Sequence, residues 1–512
     1  MKKLPIGKQK FADLITDNYL YVDKTAHYLK LISEGSVYFL SRPRRFGKSL
    51  TVSALSEIFK GNKELFKGLF IYDKIDWEPH PVIHIDFSGI GHKNLGLMAA
   101  LELRINDIAA EHGIVLKNPD YATKFSELVQ ALSKTNRVAI LIDEYDKPII
   151  DYLSEIEKAK ENREILKNLY GCLKGLDGHI KFLFITGVSK FSKVSIFSDL
   201  NHLSDITLSE DYSMMLGYTE SEILHFFDAY LSVMETRNNW SRDKLMEEMS
   251  AYYNGYSWNL RNDRVYNPFS VLKFFSDKAF QNFWFATGTP TFLINALKDR
   301  RKLPEQIGNT LVGEAFFNKF DIENIDIVSL MFQTGYLTIS KTNYKGAYWL
   351  DFPNREVEDS FMNQLLEGYS DNPLSTTTGV VEYIRFALEE NDWAQITKQF
   401  SILFSNIPYQ IFKAESEFYY HSIIHTVLTL MGVDIHSELQ TSTGRIDTVI
   451  RNEKYVYVVE FKMGGADEAL KQIKEMEYHK PWLNDKRQIV LVGIGFDKEK
   501  KQVSGFIAEK MN

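Results

Sequence analysis

A chain of 512 residues, 44% of them hydrophobic, predicts roughly three domains with ample cores and excludes a disordered protein. A net charge of −8 argues against tight, non-specific nucleic-acid binding by the whole surface, while leaving room for a local basic groove. The single cysteine, Cys172, excludes a disulfide framework and a thiolate zinc cluster, and no run reads as a signal or membrane helix, so a cytoplasmic protein without a membrane partner is expected.

The first region, residues 1–230, alternates strand-like runs with helical stretches, the pattern of an α/β domain built on a parallel sheet. Its first strand, Ser36–Ser41, is rich in Val, Tyr and Phe and runs into Arg42, Pro43, Arg44, Arg45, Phe46, Gly47, Lys48, Ser49 and Leu50. Leu50, Val52, Leu55, Ile58 and Phe59 then recur at helical spacing. Strand, loop and helix in that order, with Gly-Lys-Ser at the joint, form the back half of the phosphate-binding pattern GxxxxGK(S/T). Arg42 stands where that pattern has its first glycine. In such a loop the backbone N–H groups and the helix N-terminus cradle nucleotide phosphates. Lys48 would reach the β- and γ-phosphates, and the Ser49 hydroxyl would bind Mg²⁺. Arg44 or Arg45 could touch phosphates as well. Gly-Lys-Ser by itself is a weak signal, since Lys48 would serve equally as a solvated lysine at a helix start. Arg42 also lacks glycine's access to positive φ, which predicts a loop geometry unlike the standard one.

Further along, Val82–Asp86 reads as a strand and Asn94–His112 and Lys158–Gly175 as helices. Val138–Ile142 is an unbroken apolar run followed at once by Asp143 and Glu144. Carboxylates at the C-terminal end of a parallel strand lie where open α/β sheets bind ligands. Asp143 is expected to hold Mg²⁺ and Glu144 to polarise an attacking water. The competing account is an acidic pair capping the next helix. Phe182–Ile185 ends in Thr186, with Ser189 close behind. Both are candidates to sense a γ-phosphate or orient water, and turn chemistry accounts for Thr186-Gly187 equally well.

Across residues 231–370 the strand runs thin out and aromatic-rich amphipathic segments take over, among them Lys244–Tyr253, Ser270–Lys278 and Pro290–Leu297. A mostly helical middle domain follows, with a lid or winged-helix-like part and a hairpin over Gly335–Leu350. The polar stretch Asp371–Gly379, with its Pro and Gly, reads as a linker into a third region, residues 371–512.

In that region Gly444–Ile450 and Tyr455–Lys462 read as two strands joined by a turn at Arg451–Lys454. Asp447 lies on the first strand, and Glu460 and Lys462 lie on the second, two apart and therefore on one face. Metal-assisted phosphodiester hydrolysis uses such a set. The carboxylates bind Mg²⁺, and the lysine positions water or stabilises charge on the phosphate. Upstream, Glu417 lies in an expected helix, Ala414–Met431, on a partly apolar face with His421, Ile424 and Leu428. A carboxylate there is costly unless paired or metal-linked. Gln472 and Tyr478 fall in a helical stretch that could pack beside the two strands. A surface hairpin with alternating charges is the bland alternative. Asp371–Asn512 carries 16 Lys/Arg against 20 Asp/Glu, less basic than a strong duplex binder usually is.

Taken together, these stretches resemble the predicted AAA-ATPase-like proteins that carry a C-terminal PD-(D/E)XK nuclease-superfamily domain. The matching segments are YVDKT (Tyr21–Thr25), RPRRFGKSL (Arg42–Leu50), LIDEYDKP (Leu141–Pro148), ITGVSKF (Ile185–Phe191), YNPFS (Tyr266–Ser270), GRID (Gly444–Asp447) and VEFK (Val459–Lys462). They span nearly the whole chain in the family's order, and RPRRFGKS is the usual form of the loop there. The resemblance implies an α/β architecture: an N-terminal P-loop NTPase with a parallel sheet and a C-terminal restriction-endonuclease-like domain. It implies ATP and Mg²⁺ at Lys48, Ser49, Asp143 and Glu144. It also implies a nuclease-type site at Asp447, Glu460 and Lys462, supported by Glu417 and Gln472. The expected activity is Mg²⁺-dependent ATP hydrolysis coupled to cutting of nucleic acid, DNA more than RNA, in a chain that could form a homo-oligomer. One rival is an ATP-driven switch whose nuclease-like part only binds nucleic acid or a protein partner. Another is a nucleotide sensor or phosphotransferase that does not hydrolyse.

Overall fold

The computed structural model describes residues 1–190, 196–197, 200, 202–259, 261, 263–284, 293–294, 307–318, 326–343, 346–370, 374–405, 423–431, 434–441, 444–463, 465–497 and 502–511. The chain forms two compact units, Met1–Trp284 with Asn309–Val357, and Phe285–Gly308 with Glu358–Asn512.

The first unit is built on five parallel strands: β1 (Val37–Ser41), β2 (Val82–Asp86), β3 (Val138–Asp143), β4 (Ile180–Gly187) and β5 (Ser204–Asp205), in the order β2-β3-β4-β1-β5. β1 and β3 are buried along their whole length, which is why they read as continuous apolar runs, whereas the edge strand β2 alternates. The helices α1 (Thr25–Glu34), α2 (Lys48–Phe59), α3 (Leu97–Glu111), α4 (Tyr121–Leu132) and α5 (Ile156–Gly171) belong to the same unit. The helix expected over Asn94–His112 is interrupted: Gly96, at φ 78°, separates α3 from a short turn of helix at His92–Leu95. The order of the strands brings the ends of β1, β4 and β3 side by side, and the chemistry gathers there.

The rest of this unit holds α6 (Arg242–Tyr253), α7 (Pro268–Asp277) and α8 (Ile327–Thr334), and an antiparallel sheet of β6 (Thr310–Gly313), β7 (Thr338–Thr342) and β8 (Ala347–Asp351) in the order β6-β8-β7. β7 and β8 are the hairpin expected over Gly335–Leu350. The YNPFS segment proves to be a helix start. Asn267 accepts from the Ser270 N–H at 3.1 Å, and Pro268 takes the first helical position, where its missing N–H costs nothing. Leu245, Met249, Tyr253, Phe274 and Phe283 pack with Leu20 and Val22 into one core, so the N-terminal segment and this later part are a single body. Glu356 lies in the first turn of the helix Arg355–Ser370.

The second unit contains α9 (Leu374–Glu389), α10 (Trp393–Ser405) and α11 (Ala466–Glu475). Its sheet has β9 (Asp434–Thr441), β10 (Gly444–Arg451), β11 (Tyr455–Met463), β12 (Gln488–Asp497) and β13 (Gln502–Lys510) in the order β13-β12-β11-β10-β9. Only β11 and β12 run parallel. The stretch expected as a linker at Asp371–Gly379 is helical from Leu374 onward. Val380, Val381, Ile384 and Leu388 are buried at helical spacing, and their burial favours a helix that runs back through the serine and threonines to Leu374. Most of Pro290–Leu297 and the upstream part of Ala414–Met431, with Glu417 and His421, lie outside the described residues. No helix among the described residues is long and apolar enough to cross a membrane.

Candidate functional site

β1 ends at Ser41, whose hydroxyl donates to the Val188 carbonyl at 2.6 Å and so ties the end of β1 to the end of β4. The chain then turns through the loop to Gly47, whose φ of 93° is the left-handed conformation that glycine adopts without strain. α2 starts at the next residue. Lys48 is buried, and its Nζ donates back to the carbonyls of Arg42 and Pro43, each at 2.9 Å. Burial pushes its pKa down, while the carboxylates of Glu144, Asp143 and Asp146 hold it up. Ser49 and Leu50 are half-buried in the first turn of α2.

Arg42 is a buried structural residue in its side chain. Its guanidinium donates to the carbonyls of Ser41 at 2.9 Å, Thr207 at 2.7 Å and Tyr212 at 3.4 Å, and lies 4.3 Å from the centre of the Trp258 ring. Burial pushes its pKa down to about 9, still high enough to keep the charge at neutral pH. The residue therefore serves the loop through its carbonyl, which holds Lys48.

The next four residues are each held by the later part of the same unit. A Cβ on Gly335 would come within 2.6 Å of Pro43, so this position accepts only glycine against the proline ring. The Trp284 indole donates to the Arg44 carbonyl at 3.4 Å. The Arg45 guanidinium lies 3.7 Å from the Phe269 ring centre, and Phe46 packs edge-on against Tyr256 and Trp258. Arg45 has φ 68°, an unusual value for a non-glycine residue, sustained by these contacts. Arg44 has an exposed side chain.

At the end of β3, Asp143 Oδ1 accepts from the Thr186 hydroxyl of β4 at 2.9 Å and from the Glu144 N–H at 3.1 Å. Glu144 turns the chain with φ 52° and is half-buried. Burial raises its pKa, and the Lys48 charge opposes the rise. Lys48, Asp143, Glu144 and Thr186 are thus brought together. Ser189 is held by a residue that sequence reasoning missed. Asp146 accepts from the Val188 N–H at 3.0 Å and from both the N–H and the hydroxyl of Ser189 at 2.6 Å. The signal was present in the sequence: Asp146 is a third acid three residues after Asp143.

In the second unit β10 and β11 pair antiparallel with Thr448 opposite Val459, which sets Asp447 beside Glu460. Asp447 Oδ2 accepts from the Phe461 N–H at 2.9 Å. Glu460 Oε1 accepts from Gln472 of α11 at 2.5 Å and lies 3.5 Å from Lys462 Nζ. Glu460 is 1% exposed, and burial, with the Asp447 charge second, pushes its pKa up to about 7 against the pull of Lys462. Two carboxylates give oxygen donors of the kind a hard divalent cation takes. Among the described residues no group of three or more His, Cys, Asp or Glu could hold a metal. Lys462 is half-buried, and Glu417 lies outside the described residues.

A parallel sheet with a Gly-Lys-Ser loop after β1, a carboxylate pair after β3 and a hydroxyl at the end of β4 defines a P-loop-type nucleotide-binding fold. Residues 5–197 match the predicted AAA-ATPase family (AAA-ATPase-like), and residues 415–505 match the PD-(D/E)XK nuclease superfamily. The "Uncharacterized protein in vnfD 5'region" of Azotobacter chroococcum mcd 1 is 39% identical, with 100% of this chain and 99% of that protein aligned. The chain belongs to this family of AAA-ATPase-like proteins with a C-terminal PD-(D/E)XK nuclease-superfamily domain. No solved structure matches it.

Proposed function

We propose that the protein binds and hydrolyses ATP with Mg²⁺ in the cytoplasm and uses its C-terminal region to cut nucleic acid, DNA in preference to RNA. Residues 1–230 are the nucleotide-binding part, 231–370 the coupling part and 371–512 the nuclease part. The observation that carries this reading is the grouping of Asp447, Glu460, Lys462 and Gln472 in a chain that also sets Lys48 beside Asp143 and Glu144.

In the first site the loop N–H groups and the N-terminus of α2 bind the phosphates. Lys48 moves Nζ from the two loop carbonyls to phosphate oxygens. Ser49 and Asp143 would hold Mg²⁺, which would neutralise negative charge on the phosphates. Glu144 orients a water for in-line attack on the γ-phosphorus and takes its proton as the bond to the bridging oxygen breaks and ADP leaves. Thr186 holds the Asp143 carboxylate in place, and the end of β4 with Ser189 borders the γ-phosphate.

In the second site Asp447 and Glu460 would hold a divalent ion, with Glu417 as a further carboxylate, and the ion when bound acidifies a water and polarises the scissile phosphate. Lys462 positions that water or carries the charge of the phosphate. Gln472 fixes Glu460 Oε1.

The test incubates full-length protein with end-labelled DNA or RNA, with and without ATP and Mg²⁺. Mg²⁺-dependent cutting is expected, lost in both Glu460→Ala and Lys462→Ala, with ATP turnover lost in Lys48→Ala. Cutting that survives both C-terminal substitutions overturns the nuclease assignment. Steady ATP turnover by Glu144→Gln overturns the role given to Glu144.

A further inference from the structure

Glu356 is fully buried at 0% exposure, and both of its oxygens bond to groups that brace the phosphate loop. Oε2 accepts from the Ser270 hydroxyl at 2.7 Å, next to Phe269, the ring on which the Arg45 guanidinium rests. Oε1 accepts from the Trp284 N–H at 2.7 Å, and the Trp284 indole donates to the Arg44 carbonyl. Arg45 is the cation that favours its ionised form. Among the described residues Arg45 Nη1 is buried with no hydrogen-bond partner, so the loop carries a guanidinium held by stacking and charge with one buried donor unsatisfied until the group turns.

We propose that Arg45 is a phosphate contact of the loop, that Glu356 is its counter-charge and positioning residue, and that phosphate binding is accompanied by proton uptake at Glu356. The proposal rests on the reading of the loop as a nucleotide site. Burial pushes the Glu356 carboxyl up to about 7, with its hydrogen bonds and Arg45 opposing the rise. Polyphosphate beside Arg45 disfavours the ionised carboxylate in either of two ways. If the guanidinium turns toward the phosphate, Glu356 loses its cation. If the guanidinium stays, the phosphate adds negative charge nearby. Either way a solvent proton goes onto Glu356. The other titratable groups facing it are Tyr253 at the end of α6 and Tyr256 beyond it. Burial raises the pKa of both, so they stay neutral. Its neighbour Arg355 lies 3.7 Å from Glu248.

Titration calorimetry of full-length protein with Mg-ATP, in buffers of differing ionisation enthalpy, reads the protons exchanged on binding. Comparing wild type with variant cancels protons contributed by ATP itself. The wild type is expected to take up a fraction of a proton more than Glu356→Gln near pH 7. Its Kd should weaken about 2–5-fold more than that of the variant between pH 6.5 and 8. Arg45→Ala should bind more weakly and lose the same linkage, and it decides the matter should Glu356→Gln fail to fold by circular dichroism. Equal proton uptake in wild type and Glu356→Gln overturns the proposal, as does full linkage in Arg45→Ala. Folded wild type that binds no Mg-ATP overturns the nucleotide reading of the loop, and this proposal with it.

Discussion

Lys48 directs its ammonium onto two carbonyls of its own loop, and one of them belongs to Arg42. Arg42 in turn is anchored by carbonyls at Thr207 and Tyr212, so a single side chain shapes the peptide that the lysine needs. Restoring the glycine of the standard pattern should therefore do harm. Arg42→Gly is expected to cost about 2–4 kcal/mol in urea denaturation, by losing a buried hydrogen-bonded group, without tightening ATP binding. Asp146→Ala should likewise cost about 2–4 kcal/mol, because it removes the buried carboxylate that accepts from the Val188 N–H and from the N–H and hydroxyl of Ser189. The Gly-Lys-Ser joint was legible because strand, loop and helix are local signals. The role of Arg42 was not, since its carbonyl partner at Thr207 is 165 residues away in sequence. Glu356 gave no local sign either, as one acid in an ordinary helix start.

At the scale of elements, helix α8 ends on Gly335 at φ 91° with its face against Pro43. Gly335→Ala adds a strained backbone of about 1–2 kcal/mol and a methyl that the proline must yield to. A lowered Tm and weaker ATP binding are expected together, read by thermal melts and titration. In the β10–β11 pair, Glu460 is held well above its ordinary value of 4.5, at about 7. The folded state thus keeps a proton that the unfolded chain releases. The contribution is full below about 4.5 and is lost as pH rises through about 7. Metal-free protein should therefore lose stability from pH 5 to 8, and Glu460→Gln should be the more stable at pH 8 by about 1–3 kcal/mol. Added Mg²⁺ should narrow that gap. Equal stability of the two at both pH values would count against this account. The hairpin itself could be read from two apolar runs around a turn. The helix from Leu374 could not, because its serine and threonines signal a turn until the buried residues after them are counted.

For the whole molecule, the family match to the nucleotide-binding part stops at residue 197, yet the residues that brace the loop lie between Tyr256 and Glu356. A chain cut after residue 230 keeps the strand, the loop and α2 but none of those partners. It is expected to bind ATP at least tenfold more weakly than the intact protein, measured by titration on material shown to be folded. Undiminished binding would mean that the parallel sheet alone sets the loop.

The distance along the chain between loop and braces also sets an order of events during synthesis. At about 5–20 residues per second, the roughly 300 residues from Arg45 to Glu356 take about 15–60 s to emerge from the ribosome. Through that interval the loop is finished in sequence but unfinished in shape. ATP is therefore expected to engage the nascent chain only weakly until the residues up to Glu356 have been made.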